Sequence, residues 1–169
     1  MSEKKWYAVY TRPRFEKKAA RYLEERHINL YLPLVKTLRQ WSDRKKLVEL
    51  PLFASYVFVK IDNTEYPQVL SGPGIVRFVC FEGKAVEIPE SQIENIRWIL
   101  STDIKTEVVD EPIPQGSLIE IIKGPLLGLR AEMITYNNKS RILVRLDQLE
   151  KSVEIQVPAS HVKIIKANN

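Results

Sequence analysis

The chain has 169 residues, of which 44% are hydrophobic and 28% charged, so it can form one medium-sized or two small soluble domains. No segment approaches the roughly 18 apolar residues that a membrane span requires, and the charged start, residues 1–5, does not resemble a signal peptide. A single cysteine, Cys80, excludes an internal disulfide, which indicates a reducing, cytoplasmic location.

The positive charge is concentrated near the N-terminus. Residues 1–60 contain 14 Lys or Arg against 6 Asp or Glu, whereas the remaining 109 residues contain 12 against 15. A basic segment joined to a mildly acidic remainder is typical of a polyanion contact confined to one domain. The alternative is a solvated lysine-rich face without a partner, and charge alone does not separate the two.

The N-terminal part predicts an α+β domain. Residues 6–10 are aromatic and β-branched, as in a strand. An apolar stripe at helical spacing follows, formed by Phe15, Ala19, Tyr22 and Leu23. Residues 31–38 and 47–50 predict a hairpin with a basic tip, residues 39–46. Strands are then expected at 55–61 and 75–81, a turn at Glu82-Gly83, and a helix that begins at Pro89-Glu90.

The C-terminal part predicts a small β-barrel. Residues 101–115 are polar and proline-containing without apolar periodicity, which indicates a linker. Five short strands follow within about 50 residues, with turns at Gly124-Pro125 and Asn137-Asn138. We therefore expect a domain at residues 1–104, a linker at 105–115 and a second domain at 116–169.

Catalytic and metal-binding patterns are missing from the sequence. The two histidines, His27 and His161, lie in different predicted domains, and neither has a metal-ligand spacing to the other or to Cys80. Cys80 is interpreted as a small core residue on a strand. Phosphate-binding and dinucleotide-binding glycine motifs are also missing. We predict no enzyme activity, no metal and no cofactor.

The aromatic strand at residues 55–61 indicates a binding surface. Tyr56 and Phe58 share one face, and Val57 and Val59 share the other. If helices cover the valines, the aromatic face remains accessible to a partner, for which Tyr and Phe supply large contact area. The alternative is that the aromatic side chains pack under a loop or under the second domain.

The hairpin tip indicates a second surface, because it combines cations with one indole ring: Arg39, Trp41, Arg44, Lys45 and Lys46. Phosphates attract the cations, and unstacked bases pack on the indole. Arg12 and Arg14, with Lys17 and Lys18 on the helix, could extend this basic surface. The alternative is a soluble turn that its charges protect from aggregation.

Four segments in the same order resemble the NusG family of transcription elongation factors: WYAVYTRPRFEKKAARYL, PLFASYVFVKID, GPGIVRFVCFEGKAVEIP and GSLIEIIKGPLLGLRAEM. The first three resemble its NGN domain and the fourth its KOW domain. The PLF-x-x-Y-x-F run and the basic hairpin are closer to specialised paralogues such as RfaH and the UpxY antiterminators. The resemblance implies an NGN domain with an antiparallel sheet flanked by helices, a linker, and a five-stranded SH3-like KOW β-barrel.

The resemblance also implies partners. The NGN domain of this family binds the clamp of RNA polymerase through a hydrophobic patch, which corresponds here to Tyr10, Phe53, Tyr56 and Phe58. A basic surface of specialised paralogues contacts the non-template DNA strand, which corresponds to Arg12, Arg14, Lys18 and the tip residues Arg39, Trp41, Arg44, Lys45 and Lys46. The KOW barrel contacts factors such as Rho or the ribosome through a turn, here Leu126, Leu127 and Leu129. We expect a monomer that does not bind membranes.

Two positions depart from the family pattern. Leu50 replaces the acidic residue that precedes PLF in RfaH, which argues against autoinhibition through that contact. Ala131 replaces the usual KOW glycine after the turn. The alternating β-branched residues of the C-terminal part favour a permanent barrel over a helical hairpin.

Two other functions remain open from the sequence. A KOW-containing, ribosome-associated RNA-binding protein would bind RNA through the segment that begins at Gly116, although the negative charge balance of residues 61–169 argues against it. An enzyme such as a nuclease would need a cluster of carboxylates or histidines that only the fold could assemble.

Overall fold

The computed structural model describes residues 2–109, 116–136 and 139–167, and the chain divides into two compact units, residues 1–90 and 91–169. The elements of the first unit are β1 Lys5–Thr11, α1 Glu16–Glu25, β2 Asn29–Tyr31, β3 Leu34–Gln40, β4 Lys45–Pro51, β5 Tyr56–Ile61, α2 Tyr66–Leu70, β6 Ile75–Phe78, β7 Cys80–Phe81 and β8 Lys84–Ala85. Mixed helices and antiparallel strands agree with the predicted α+β class.

The first unit contains a four-stranded antiparallel sheet in the order β2-β5-β1-β6. Val57 and Val59 of β5 pack in one buried cluster with Leu23 of α1 and Val69 of α2. The apolar stripe of α1 therefore faces the aliphatic side of the sheet, as its spacing predicts. Helix α2 was not predicted from the sequence, because five residues are too few for a helical period to be visible.

Strands β3 and β4 form a separate two-stranded sheet, which confirms the predicted hairpin. Its strands extend further than expected, to the pair Gln40–Lys45. Only residues 41–44 form the tip, where the Trp41 N–H donates to the Arg44 carbonyl at 2.7 Å. At the other end, the Leu52 N–H donates to the Pro33 carbonyl at 2.8 Å.

A shorter hairpin, β7–β8, turns at Glu82-Gly83 as predicted. Both residues have a positive φ, 50° and 78°, which is the backbone of a two-residue type I′ turn. Cys80 lies on β7 but is exposed, so its predicted place in the core is wrong. Among the residues that the structure describes, strand β7 pairs only with β8, and this two-residue ribbon has too few side chains to cover the thiol.

The second unit contains α3 Glu90–Leu100, which begins at the boundary, and the strands β9 Thr106–Val109, β10 Ser117–Ile121, β11 Arg130–Tyr136, β12 Lys139–Leu146, β13 Lys151–Ile155 and β14 Val162–Lys166. The strands form one antiparallel sheet in the order β14-β10-β11-β12-β13-β9. The alternating residues of β12 and β13 face each other in register, with Ile142 opposite Ile155 and Val144 opposite Val153.

The five strands expected after Gly116 are confirmed as β10 to β14, and among the described residues the sheet gains a sixth strand, β9, from the predicted linker. Residues 106–109, placed in the linker by their polar surroundings, pair along β13, with Val108 opposite Val153. An edge strand pairs with one neighbour and leaves its other backbone groups to solvent, and so short a strand gives little periodic signal. The rest of the predicted linker, residues 110–115, and the Asn137-Asn138 turn lie outside the described residues.

Helix α3 buries Ile93, Ile96 and Ile99, as the predicted apolar side requires. Within the second unit, its Trp98 Nε1–H donates to the Pro125 carbonyl at 3.1 Å. Most of α3 thus groups with the C-terminal strands, whereas the sequence placed it in the first domain. None of the helices in the described part of the chain combines the length and the apolarity that crossing a bilayer requires.

Candidate functional site

A tyrosine pair marks one end of the four-stranded sheet. Tyr10 of β1 lies directly opposite Tyr56 of β5, so the two side chains share a face. Their rings meet edge to face, with centroids 5.4 Å apart at 76°. Tyr10 is 36% exposed, and Tyr56 is half-buried. Two members of the predicted aromatic patch are therefore brought together, and at least Tyr10 reaches the surface.

The other two predicted members of the patch, Phe53 and Phe58, are buried, at 1% and 0% exposure. Their expected accessibility is therefore wrong. The two rings pack edge to face, with centroids 5.9 Å apart, and aromatic pairs of this geometry stabilise a protein interior. Strand periodicity correctly puts Phe58 on the same face as Tyr56, but it does not show how far that face is covered. The phenylalanines can support the surface rather than form it.

The sequence does not predict the cation that lies beside the Tyr10–Tyr56 pair. Arg77 of β6 lies opposite Tyr10, and its guanidinium carbon is 5.8 Å from the Tyr10 ring centroid. A cation within about 6 Å of an aromatic ring is attracted to its face. The sequence predicts only a strand at residues 75–81. The charge between Val76 and Phe78 was the available signal, since an arginine on a half-buried strand needs an accessible position.

The loop that carries Arg12 and Arg14 is held by backbone bonds. The Arg12 N–H donates to the Gly74 carbonyl at 2.8 Å, and the Thr11 N–H donates to the Ser55 carbonyl at 2.8 Å. Gly74 has φ +76°, and a Cβ there would lie 2.4 Å from the Phe15 Cβ, so glycine is required. The guanidinium groups extend from a fixed backbone and are exposed.

A buried carboxylate joins α1 to the same region. Glu16, at 6% exposure, lies in the first turn of α1, where the helix dipole favours a negative charge. Its Oε1 accepts the Ser55 N–H at 2.7 Å. Ser55 has a positive φ of 69°, so this bond holds an unfavourable backbone conformation immediately before β5. Glu16 thereby links α1 to the start of β5, the strand that begins with Tyr56.

All predicted nucleic-acid-binding residues are exposed: Arg12, Arg14, Lys18, Arg39, Trp41, Arg44, Lys45 and Lys46. The hairpin divides its cations between two faces, because Arg39 pairs with Lys46 and Gln40 with Lys45 at successive positions. The Lys17 Nζ donates to the Glu49 carbonyl at 2.7 Å, which connects α1 to the hairpin. Trp41 at the tip is 52% exposed.

The predicted C-terminal turn is mostly internal. Leu126 and Leu129 are 0% and 1% exposed, so their expected accessibility is wrong, whereas Leu127 is 59% exposed. The turn folds back on β10, since the Gly128 N–H donates to the Ile121 carbonyl at 2.7 Å. This direction puts two of the three leucines in the core. Leu127 is the one predicted residue of this turn that a partner could reach.

The parts of the chain that the structure describes contain no cluster of side chains suited to hold a metal ion. Across residues 2–109, 116–136 and 139–167, no three His, Cys, Asp or Glu side chains lie close enough to hold a metal ion. The surfaces described above contain aromatic and cationic groups, which suit the binding of macromolecules.

Known proteins resemble the chain over most of its length. The family described as "Transcription termination factor nusG" matches residues 4–97. The "Transcription termination/antitermination protein NusG" of Staphylococcus aureus, from strains Mu50 and N315, is 26% identical over 168 residues, which cover 90% of this chain and 92% of that protein. A solved structure described as "Domain interaction in Thermotoga maritima NusG" has a TM-score of 0.54 at 22% identity and covers 97% of this chain and 98% of its own.

The family match spans more than half of the chain and includes the tyrosine pair, the basic loop and the hairpin. The similarity to the Thermotoga maritima structure supports the fold independently. This chain belongs to the NusG family of transcription termination and antitermination factors.

Proposed function

We propose that the chain is an elongation or antitermination factor that binds the clamp of RNA polymerase through the surface around Tyr10 and Tyr56. The observation that carries the proposal is the edge-to-face tyrosine pair at an accessible end of the sheet, with the Arg77 guanidinium beside it. Tyr and Arg are the residues that most often dominate the affinity of protein interfaces. Phe53 and Phe58 contribute by keeping the pair rigid.

The proposed effect on polymerase is a shift in a conformational equilibrium. A ligand that contacts both sides of a cleft only when the cleft is closed stabilises the closed state by its differential affinity. The first unit has two contact surfaces for this purpose, the tyrosine pair and the hairpin, whose strands each have seven residues. Strands of this length span roughly 20 Å.

The basic surface is proposed to bind the exposed non-template DNA strand. The exposed cations of the loop, α1 and the hairpin supply the sequence-independent attraction to phosphates, and Trp41 supplies a stacking surface. This combination suits a specialised factor of the RfaH or UpxY kind better than a general one. The resemblance in the PLF-x-x-Y-x-F run supports the same assignment.

The C-terminal part, residues 116–169, is proposed to act as a KOW domain that contacts Rho or the ribosome through Leu127. The rival function, an RNA-binding ribosomal protein, gains no support from two arginines of this region. Its Arg145 Nε is 2.7 Å from Glu132 Oε1, and Arg141 forms a similar ion pair with Glu154. These cations are neutralised within the sheet, so they are poorly available to phosphates.

The proposal is tested by titrating RNA polymerase with the Tyr56→Ala variant. We expect the affinity to fall by about 1 to 3 kcal/mol, as for an interface anchor. Leu70→Ala is the matched control, because Leu70 is a large exposed apolar residue on α2, next to Val69 of the cluster on the opposite side of the sheet. Unchanged affinity of Tyr56→Ala, with both variants folded by circular dichroism, would remove the anchor assignment.

A further inference from the structure

Among the described residues, the sheet of the second unit has two different edges. One edge is β14, whose pairing with β10 is interrupted by a register shift between Leu118 and Ile119 and whose Lys163 and Lys166 are exposed. A bulge and lysine side chains on an edge strand are the usual protection against the addition of a further strand. The other edge is β9, a strand of only four residues, none of which is fully buried. The two edges therefore differ in how firmly they are closed.

The register of β9 on β13 holds two acidic residues opposite each other. Glu107 lies directly opposite Glu154, so the two carboxylates share one face of the sheet, and like charges in this arrangement weaken a strand pair. The Arg141 Nε–H donates to Glu154 Oε2 at 2.9 Å, which offsets part of this repulsion. Glu107 lies 3.9 Å from the Lys105 ammonium, but both side chains are exposed, and such a surface ion pair contributes little to stability. A strand with a cation at the position of Glu107 would therefore pair with β13 more strongly than β9 does.

The opposite face of the same strand pair is apolar. Val108 lies opposite Val153, and Thr106 lies opposite Ile155. The two residues of β13 are 0% and 2% exposed, whereas the two residues of β9 are only half-buried. The edge of β13 therefore favours β-branched side chains at the positions of Thr106 and Val108, because such side chains pack well on a half-buried pleated surface.

We propose that the edge of β13 is a binding site for an extended strand of a partner protein, and that β9 is a weak internal occupant which this strand displaces. The partner strand carries a lysine or arginine between two β-branched residues. Its cation lies opposite Glu154, and its β-branched side chains cover Val153 and Ile155. The main-chain hydrogen bonds of β13 then pass from β9 to the partner, as in other cases of strand addition. This contact is additional to the turn around Leu127 and does not depend on it.

The first test measures the binding of two synthetic peptides to the full chain, through the chemical shifts of the β13 amides. One peptide has the sequence of residues 103–109, DIKTEVV, and the other differs only by Glu107→Lys. Because the tethered β9 competes at an effective concentration on the order of millimolar, the titration uses the Val108→Asn chain, in which an amide beside the buried Val153 weakens β9. We expect the lysine peptide to bind about threefold more tightly than the glutamate peptide. The original chain should bind the lysine peptide at least about tenfold more weakly than the Val108→Asn chain does.

The second test needs no peptide and no weakened chain. Amide hydrogen exchange of residues 106–109 should be at least about tenfold faster than that of β12, because β9 opens locally. Glu107→Lys should slow this exchange about threefold, since it places a cation opposite Glu154. Asp103→Lys is the matched control with the same change in charge, because Asp103 is exposed and lies outside β9.

Each contrary result overturns the proposal. Equal affinity of the two peptides, or equal binding to the original and Val108→Asn chains, would show that the partner strand does not take the place of β9. Exchange of residues 106–109 as slow as that of β12 would make β9 a permanent strand. Identical effects of Glu107→Lys and Asp103→Lys would assign the change to net charge instead of to strand pairing. In the Val108→Asn chain, adding Leu127→Ala should leave peptide binding unchanged, and a loss would move the site to the turn.

Discussion

In the first unit, folding buries much of the expected aromatic surface but leaves the basic hairpin exposed. Of the four aromatic residues expected on the surface, Phe53 and Phe58 are buried and Tyr56 is half-buried. Every basic residue expected on the hairpin is exposed. The difference arises because an apolar ring is stable either in the core or at an interface, whereas burying an unpaired cation costs several kcal/mol. Charge therefore predicts exposure more reliably than aromatic character does.

The same contrast holds within the second unit. Leu126, Leu127 and Leu129 are chemically equivalent in the sequence, yet only Leu127 is exposed. The backbone of the turn decides between them, through hydrogen bonds such as that of the Gly128 N–H with the Ile121 carbonyl. A leucine-rich turn predicts apolar contact area without indicating which residue supplies it.

The largest expected effect is a difference in the free energy of unfolding between two variants, one at the buried ring of Phe58 and one at the accessible ring of Tyr10. Phe58→Ala should lower the free energy of unfolding by about 3 to 5 kcal/mol, because it leaves a cavity beside Phe53. Tyr10→Ala should cost clearly less, since Tyr10 is 36% exposed. Urea unfolding of both variants measures the difference. Equal losses would mean that the tyrosine and the phenylalanine belong to the same interior.

The second prediction concerns the glycine that holds the basic loop. Gly74→Ala should destabilise the chain by about 1 to 3 kcal/mol, because the position has φ +76° and the new methyl group would collide with Phe15. Gly83→Ala is the matched control, with φ +78° and no atom within 4 Å of the added Cβ. Thermal unfolding compares the two. If both variants are destabilised equally, backbone strain alone explains the effect and the collision with Phe15 is unimportant.

The third prediction concerns the hairpin. The double variant Arg39→Gln and Lys46→Gln should weaken binding to single-stranded DNA and reduce the slope of log K against log salt by about 0.7 for each phosphate that is no longer neutralised. Stability should change by less than about 0.5 kcal/mol, because both side chains are exposed. Fluorescence anisotropy across a salt series measures the slope. An unchanged slope would show that this pair does not bind phosphates.

The smallest expected effect concerns Arg77. Arg77→Gln should reduce polymerase affinity by about 0.5 to 1 kcal/mol, the usual value of an exposed cation–π contact with a ring such as Tyr10. Arg77→Lys keeps the charge and serves as the control. If both variants bind like the original chain, the arginine is only a neighbour of the tyrosine surface and does not contribute to it.

The residues alone determined several features of this protein. Alternation placed Tyr56 and Phe58 on one face and Val57 and Val59 on the other, because side chains on a strand point to opposite faces in turn. Helical spacing identified α1 and α3, and glycine with its neighbour identified the turn at Glu82-Gly83. The charge bias of residues 1–60 located the basic surface. All of these are local properties of the chain.

The tertiary structure decided what covers each face and which distant residues meet. It buried Phe53 against Phe58, put Arg77 beside Tyr10, and added residues 106–109 to the C-terminal sheet. Periodicity reports only the direction of a side chain. Burial and proximity depend on segments that are distant in the sequence, and no local pattern records them.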